Sequence, residues 1–234
     1  SGRIAHALGT PMVVGLAYHG AVATRLSPVD DVWGKHIDAA TFRRHLEILA
    51  RHFHVIRLTD LLRGLSEGTP LPRRAVFISF DDGYAGVYEV AYPLLKEFGM
   101  PATFFVTSAH TESGEPLRLD VLDAIIKHTT RVHAEIILDT APEILPLASE
   151  ADRLRAALRV RTVFKRLPYE RRIPFLTEFA AQLGFSSLLA VPSLGLHTRL
   201  CTLEQLREMA AGGMEIGAHT HTHQTLAAIK PELA

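Results

Sequence analysis

Two short segments hold the residues best able to do chemistry. Asp81 and Asp82 are adjacent and precede Gly83, while His219, His221 and His223 alternate with Thr220 and Thr222. Carboxylates and imidazoles hold divalent transition metals and move protons near neutral pH. Neighbouring carboxylates at a strand end point differently, so one can coordinate a metal while the other stays free as a base. His219 and His223 are four residues apart, and a helical turn would put both rings on one side. An extended segment would add His221 to the same face. Two neutral imidazoles and a carboxylate make a site for zinc or another divalent transition metal, with positions open for water and substrate. Plainer readings exist: Asp-Gly as a turn former with Asp as a helix cap, and a solvated polar loop around the histidines. Three histidines in five residues argue against the second.

Both segments follow apolar runs that read as buried strands, RAVFISF at 74–80 and MEIGA at 214–218. Further strands are expected at Met12–Tyr18, His54–Leu58, Ala102–Thr107 and Val132–Leu138. Helical spacing marks Ala40–Phe53, Tyr84–Phe98 (entered irregularly because of Pro93), Arg118–His128 and Leu203–Ala211, the last capped by Thr202 and stopped by Gly212-Gly213. Thr59 should cap a short helix through Leu65. Residues 21–38 read as a loop. The stretch 148–184 should hold at least two helices divided by Pro168 and Pro174. Strand and helix alternate, which predicts a parallel α/β architecture, with a slight lean to a barrel over an open sheet. In such folds ligands bind at the C-terminal strand ends, where both segments lie. One domain over residues 1–234, with a helical insertion at about 118–190, is the simplest division.

The chain has 234 residues, enough for a substantial core, and its 25 basic and 25 acidic residues cancel. That balance argues against a strongly basic nucleic-acid binder and against a polybasic membrane patch. The lone cysteine, Cys201, cannot form an intrachain disulfide. No apolar run reaches the length of a membrane span, and Ser1-Gly2-Arg3 lacks the order of a signal peptide. The compartment, bacterial envelope or cytoplasm, and the oligomeric state stay open.

Phe80-Asp81-Asp82-Gly83 within ISFDDGY, and HTHTH within EIGAHTHTH, resemble the first two motifs of the polysaccharide deacetylases, the NodB homology domain of carbohydrate esterase family 4. YPLLKEFGMPATFFV and TLEQLREMAAGGMEIG agree with the resemblance, which spans about 12–110 and 200–234. It implies a distorted, incomplete (β/α) barrel with a helical insertion. It also implies metal-dependent removal of acetyl groups from an N-acetylated oligo- or polysaccharide. Residue by residue, it makes Asp81 the catalytic base and Asp82, His219 and His223 the ligands of one divalent ion, zinc first, with cobalt, nickel or manganese as alternatives. His19, after the first strand, and Tyr84 become candidates for the substrate pocket, with His110 a weaker one; Thr220 should order the loop. A hydrolase of another amide, or a non-catalytic domain, are the alternatives.

The family's later motifs supply an Arg with a Pro-Tyr segment and a Leu-x-His general acid. Only eleven residues follow His223, and Pro231-Glu232-Leu233 reads as a first helical turn. The expectation is a truncated barrel whose metal site survives while turnover is poor or absent. Arg166-Leu167-Pro168-Tyr169 imitates the Arg and Pro-Tyr motif but precedes the histidines.

Overall fold

The computed structural model describes residues 13–138 and 141–226, so the expectations at Ser1-Gly2-Arg3 and Pro231-Glu232-Leu233 lie outside the described residues. Internal contacts divide the chain into two compact units. The first holds the described residues up to 25 together with 35–115 and 199–223; the second holds 26–34, 116–198 and those beyond 223.

The first unit is built on a five-stranded parallel sheet. Its strands are β1 (Val14–Tyr18), β4 (His54–Val55), β5 (Ala75–Phe80), β6 (Thr103–Val106) and β9 (Glu215–Ala218). The order runs β1-β5-β6-β9, with β4 paired to the start of β5. β1, β4 and β6 all pair β5 in parallel, with Tyr18 opposite Phe80 and Phe80 opposite Phe104. The sheet stays open among the described residues. β5 is buried at five of its six positions, as a central strand covered on both faces must be. Tyr18, Phe80 and Phe104 stack across three strands at 5.2 and 5.1 Å between ring centres, and Phe42 meets the first two edge-on. This aromatic row is the floor beneath the strand ends.

The segment 21–38, expected as a loop, contains two strands. β2 (Gly20–Val22) and β3 (His36–Asp38) pair with each other in parallel. Three-residue strands carry too little periodicity to be read in advance. Asp38 then caps α1 (Ala39–His52), accepting Thr41 N–H and Oγ1–H, each at 2.9 Å. Phe42, Leu46 and Leu49 recur at helical spacing and are buried.

α2 (Leu58–Glu67) begins one residue before Thr59, so Thr59 is not its cap; Arg57 holds that position without a side-chain bond. The Glu215 carboxylate on β9 supplies the acceptor instead, taking Leu58 N–H at 2.9 Å, Thr59 N–H at 3.2 Å and Thr59 Oγ1–H at 2.5 Å.

The irregular entry expected from Pro93 is a π-helical turn at Val87–Ala91, where Tyr92 N–H reaches back to Val87 O, before α3 (Tyr92–Phe98). Proline lacks the N–H that would continue an α-ladder. Gly86, which starts this turn, lies against β2: a Cβ there would stand 1.9 Å from Ala21 O. α4 (Ser108–Ser113) follows β6. α8 (Leu203–Ala211) carries the expected cap, a reciprocal box between Thr202 and Gln205.

The second unit contains α5 (Arg118–His128), a hairpin of β7 (His133–Leu138) and β8 (Ala141–Pro146), α6 (Glu150–Arg166) and α7 (Tyr169–Gln182). The expected insertion thus includes an antiparallel ribbon as well as helices. Pro168 separates α6 from α7, but Pro174 sits inside α7 and divides nothing. An Arg161–Asp123 ion pair at 2.9 Å is sealed in this unit, with side chains 2% and 4% exposed. Among the described residues, no helix is long and apolar enough to cross a membrane.

Candidate metal centre

The first unit's strands deliver their next residues to one edge. β1 runs into His19, β5 into Asp81-Asp82, β6 into Thr107 and β9 into His219. The Asp81 N–H bonds to Tyr18 O at 2.9 Å and the His219 N–H to Val106 O at 2.8 Å, so the pairing continues past each strand end. Backbone bonds from Ser108 N–H to Thr220 O (3.4 Å) and from Ala109 N–H to His221 O (2.9 Å) fasten the histidine loop to the start of α4.

Asp82, His219 and His223 converge. Their ligand atoms lie within 4.8 Å of one another. Asp82 Oδ1 stands 3.1 Å from His223 Nε2 and 3.5 Å from His219 Nε2. That oxygen is buried and no donor is aligned on it as a hydrogen bond. An acceptor buried without a donor costs about 1–3 kcal/mol. A cation between this oxygen and the two imidazoles would remove the cost. The carboxylate side chain is 4% exposed and the imidazoles about a third, so the cluster is rooted in the core and open on its histidine side. One carboxylate and two neutral imidazoles fit a divalent transition-metal ion. Burial pushes the Asp82 carboxyl up. The nearness of His223, with Lys35 and His19 further off, outweighs it and holds the group below the ordinary carboxylate range. Asp82 therefore stays ionised at neutral pH, as a ligand must.

The backbone is forced here. Among the described non-glycine residues, positive φ occurs at Asp82 (74°), Thr220 (63°), His223 (57°) and, elsewhere, Arg74. Such a conformation is especially unfavourable for β-branched Thr220, and each strained residue costs on the order of 1–3 kcal/mol. Strain gathered on two ligands and the residue after a third explains the histidine geometry. The loop is neither the helical turn nor the extended run that spacing suggested, yet it brings His219 and His223 to 5.3 Å between ring centres.

The remaining candidates are placed as follows. Asp81 is half-buried and stands outside the trio. His19 is half-buried and follows β1 at the same edge. His221 turns elsewhere, its Nδ1 2.8 Å from Ser108 Oγ. Tyr84 is fully buried and its ring packs on His36 at 4.8 Å; it is a core residue and does not line a groove, which corrects its place among the pocket candidates. His110 is buried, with Nδ1 3.2 Å from Glu115 O. Arg166-Leu167-Pro168-Tyr169 belongs to the second unit, where the Tyr169 hydroxyl accepts from Arg118 Nη2 at 2.6 Å. Burial pushes the Cys201 thiol up to about 12, which leaves it inert.

Sequence reasoning missed two residues. Thr107 is buried and its Oγ1–H donates to Asp82 O at 3.3 Å, bracing the aspartate turn. Lys35 donates from Nζ to the Tyr84 hydroxyl. Lys35 lay in the segment read as a loop, so no pattern pointed to it.

The family model described as polysaccharide deacetylase matches residues 68–188, which include Asp81 and Asp82 and end before the histidines. The poly-beta-1,6-N-acetyl-D-glucosamine N-deacetylase of Staphylococcus aureus is 41% identical over 51 residues, 22% of this chain and 18% of that protein. The solved structure of the Streptococcus pyogenes deacetylase PplD in complex with acetate aligns with 95% of this chain and 63% of its own, at 18% identity and a TM-score of 0.53. That likeness is one of fold. A de-N-acetylase from Aggregatibacter actinomycetemcomitans aligns with 93% of this chain at a TM-score of 0.43. The chain thus spans less than two thirds of each of these three relatives.

Proposed function

The chain belongs to the polysaccharide deacetylase family, and from that premise we propose that it is a metal-dependent hydrolase removing N-acetyl, or O-acetyl, groups from a carbohydrate. The observation that carries the reading is the buried Asp82 Oδ1, unbonded and facing two imidazole nitrogens at 3.1 and 3.5 Å. Asp82, His219 and His223 would hold one divalent ion, zinc by preference for this donor set. When bound, such an ion supplies Lewis acidity that lowers the pKa of water and polarises an amide carbonyl. Asp81, next in chain to a ligand and outside the trio, takes the proton from the water as it attacks the acetyl carbon. The aromatic floor and the Thr107 bond keep the Asp81-Asp82 turn from moving as the proton transfers. His19 lines the substrate side.

The substrate is an N-acetylated oligo- or polysaccharide. The poly-beta-1,6-N-acetyl-D-glucosamine named for the staphylococcal relative is the first glycan to test. Acetate release by the zinc-loaded chain, compared with Asp81→Asn, decides the matter. The expected result is turnover that falls by about 10²- to 10⁴-fold in the variant while zinc content stays near one per chain. No acetate from any N- or O-acetylated glycan, with zinc bound, would overturn it and favour a non-catalytic domain. The measured rate also tests whether turnover is weak.

A further inference from the structure

The aspartate turn has a cationic neighbour outside the motifs. Lys35 immediately precedes β3, and its carbonyl accepts Gly20 N–H at 3.1 Å. That bond joins it to the start of β2, next to His19. Its ammonium reaches the hydroxyl of Tyr84, two residues beyond Asp82, and stands 4.7 Å from the centre of that ring. Tyr84 is a firm anchor. It is fully buried, its carbonyl accepts from Cys201 Sγ at 3.4 Å, and it bridges to Leu200. A long, flexible lysine is thereby held against one turn.

We propose that Lys35 is a positioning residue that sets the electrostatics of the metal centre, a fixed positive charge anchored on Tyr84 beside the Asp82 turn. The inference rests on the metal-site reading above. Lys35 is among the charges that act on the Asp82 carboxylate. Its charge has two opposed consequences. It repels a divalent cation, so it weakens metal binding. It also favours the negative charge that grows on the carbonyl oxygen during attack, so it speeds the chemical step. A purely structural lysine would do neither.

Zinc affinity, measured by competition with a chelating dye, reads the first consequence without any turnover. Lys35→Met should bind zinc about 3- to 10-fold more tightly than the parent chain, and Lys35→Arg should match the parent. Lys35→Gln serves if the methionine variant does not reach the parent's circular-dichroism spectrum. Equal or weaker zinc binding in the neutral variants, or an arginine variant that shifts as far as they do, would overturn the proposal. In acetate release, kcat should fall about 10-fold in Lys35→Met with KM nearly unchanged; an unchanged kcat in an active parent also overturns it. If the parent releases no acetate, the deacetylase reading fails and the zinc titration still decides on Lys35.

Discussion

Glu215 on β9 caps a helix that begins more than 150 residues earlier: its carboxylate holds the Thr59 hydroxyl at 2.5 Å and takes two backbone N–H groups of the first turn of α2. It also accepts Thr103 Oγ1–H at 2.7 Å from β6. One charge thus joins α2, β6 and β9 beneath the strand that leads to the histidines.

Replacing it tests the arrangement and its pH dependence. Burial raises the Glu215 carboxyl, but the bonds from Thr59, Thr103 and Leu58 hold it below the ordinary carboxylate value. A depressed folded-state pKa adds stability above the unfolded value of about 4.3, lost as pH falls through the folded value. Glu215→Gln should cost about 1–2 kcal/mol at pH 7. The difference from the parent should shrink steadily below about pH 4 in urea unfolding curves. A pH-independent difference would mean that the charge plays no part.

The metal centre predicts a thermal signature. Zinc at about 100 times its Kd should stabilise the fold by about 2.7 kcal/mol, and chelation should reverse the gain. Asp82→Ala should abolish the zinc-dependent rise in Tm. His221→Ala should retain it, because that ring is engaged with Ser108 rather than with the trio. Equal losses in both variants in a thermal-shift assay would contradict the assignment of ligands.

Gly86 and Gly99 separate steric from conformational cost. Gly86→Ala drives a methyl group into the Ala21 carbonyl and should lose about 2–3 kcal/mol. Gly99 sits at φ 63° with open space around it, so Gly99→Ala should lose only about 1 kcal/mol. Urea titrations of the two variants should rank in that order.

In the second unit, Asp123→Ala leaves Arg161 buried without its ion-pair partner and should cost about 3–5 kcal/mol. The double variant Asp123→Leu with Arg161→Met should recover much of that loss, since an apolar pair of similar volume needs no compensating charge. Calorimetry of the single and double variants is the direct check.

The parts of the site visible in sequence were those that follow long apolar strands. RAVFISF and MEIGA marked β5 and β9, and what came after them, Asp82, His219 and His223, proved to be the converging trio. What stayed hidden depended on partners far away in the chain. β2 and β3 are three residues each and pair only with one another, so neither carries a period. The cap of α2 comes from Glu215, so the local rule chose Thr59 instead. Tyr84 followed the aspartate motif and so stood as a pocket candidate, and only its full burial and its packing on His36 show it as core. The left-handed backbone at Asp82, Thr220 and His223 has no glycine to announce it.

The pairing of β9 with β6 spans the whole inserted unit, from Thr103 opposite Glu215 to Val106 opposite Ala218. On a ribosome, Asp82 emerges long before either histidine, and its half of the centre must wait for the insertion to be made. Closing so long a loop is entropically costly and slow unless the intervening chain has already condensed. The inserted unit carries its own core on α5, α6 and α7, and condensing on its own would shorten that loop. The trio can therefore meet only after the inserted unit has been made, and a cation held there would tie the end of β5 to the end of β9.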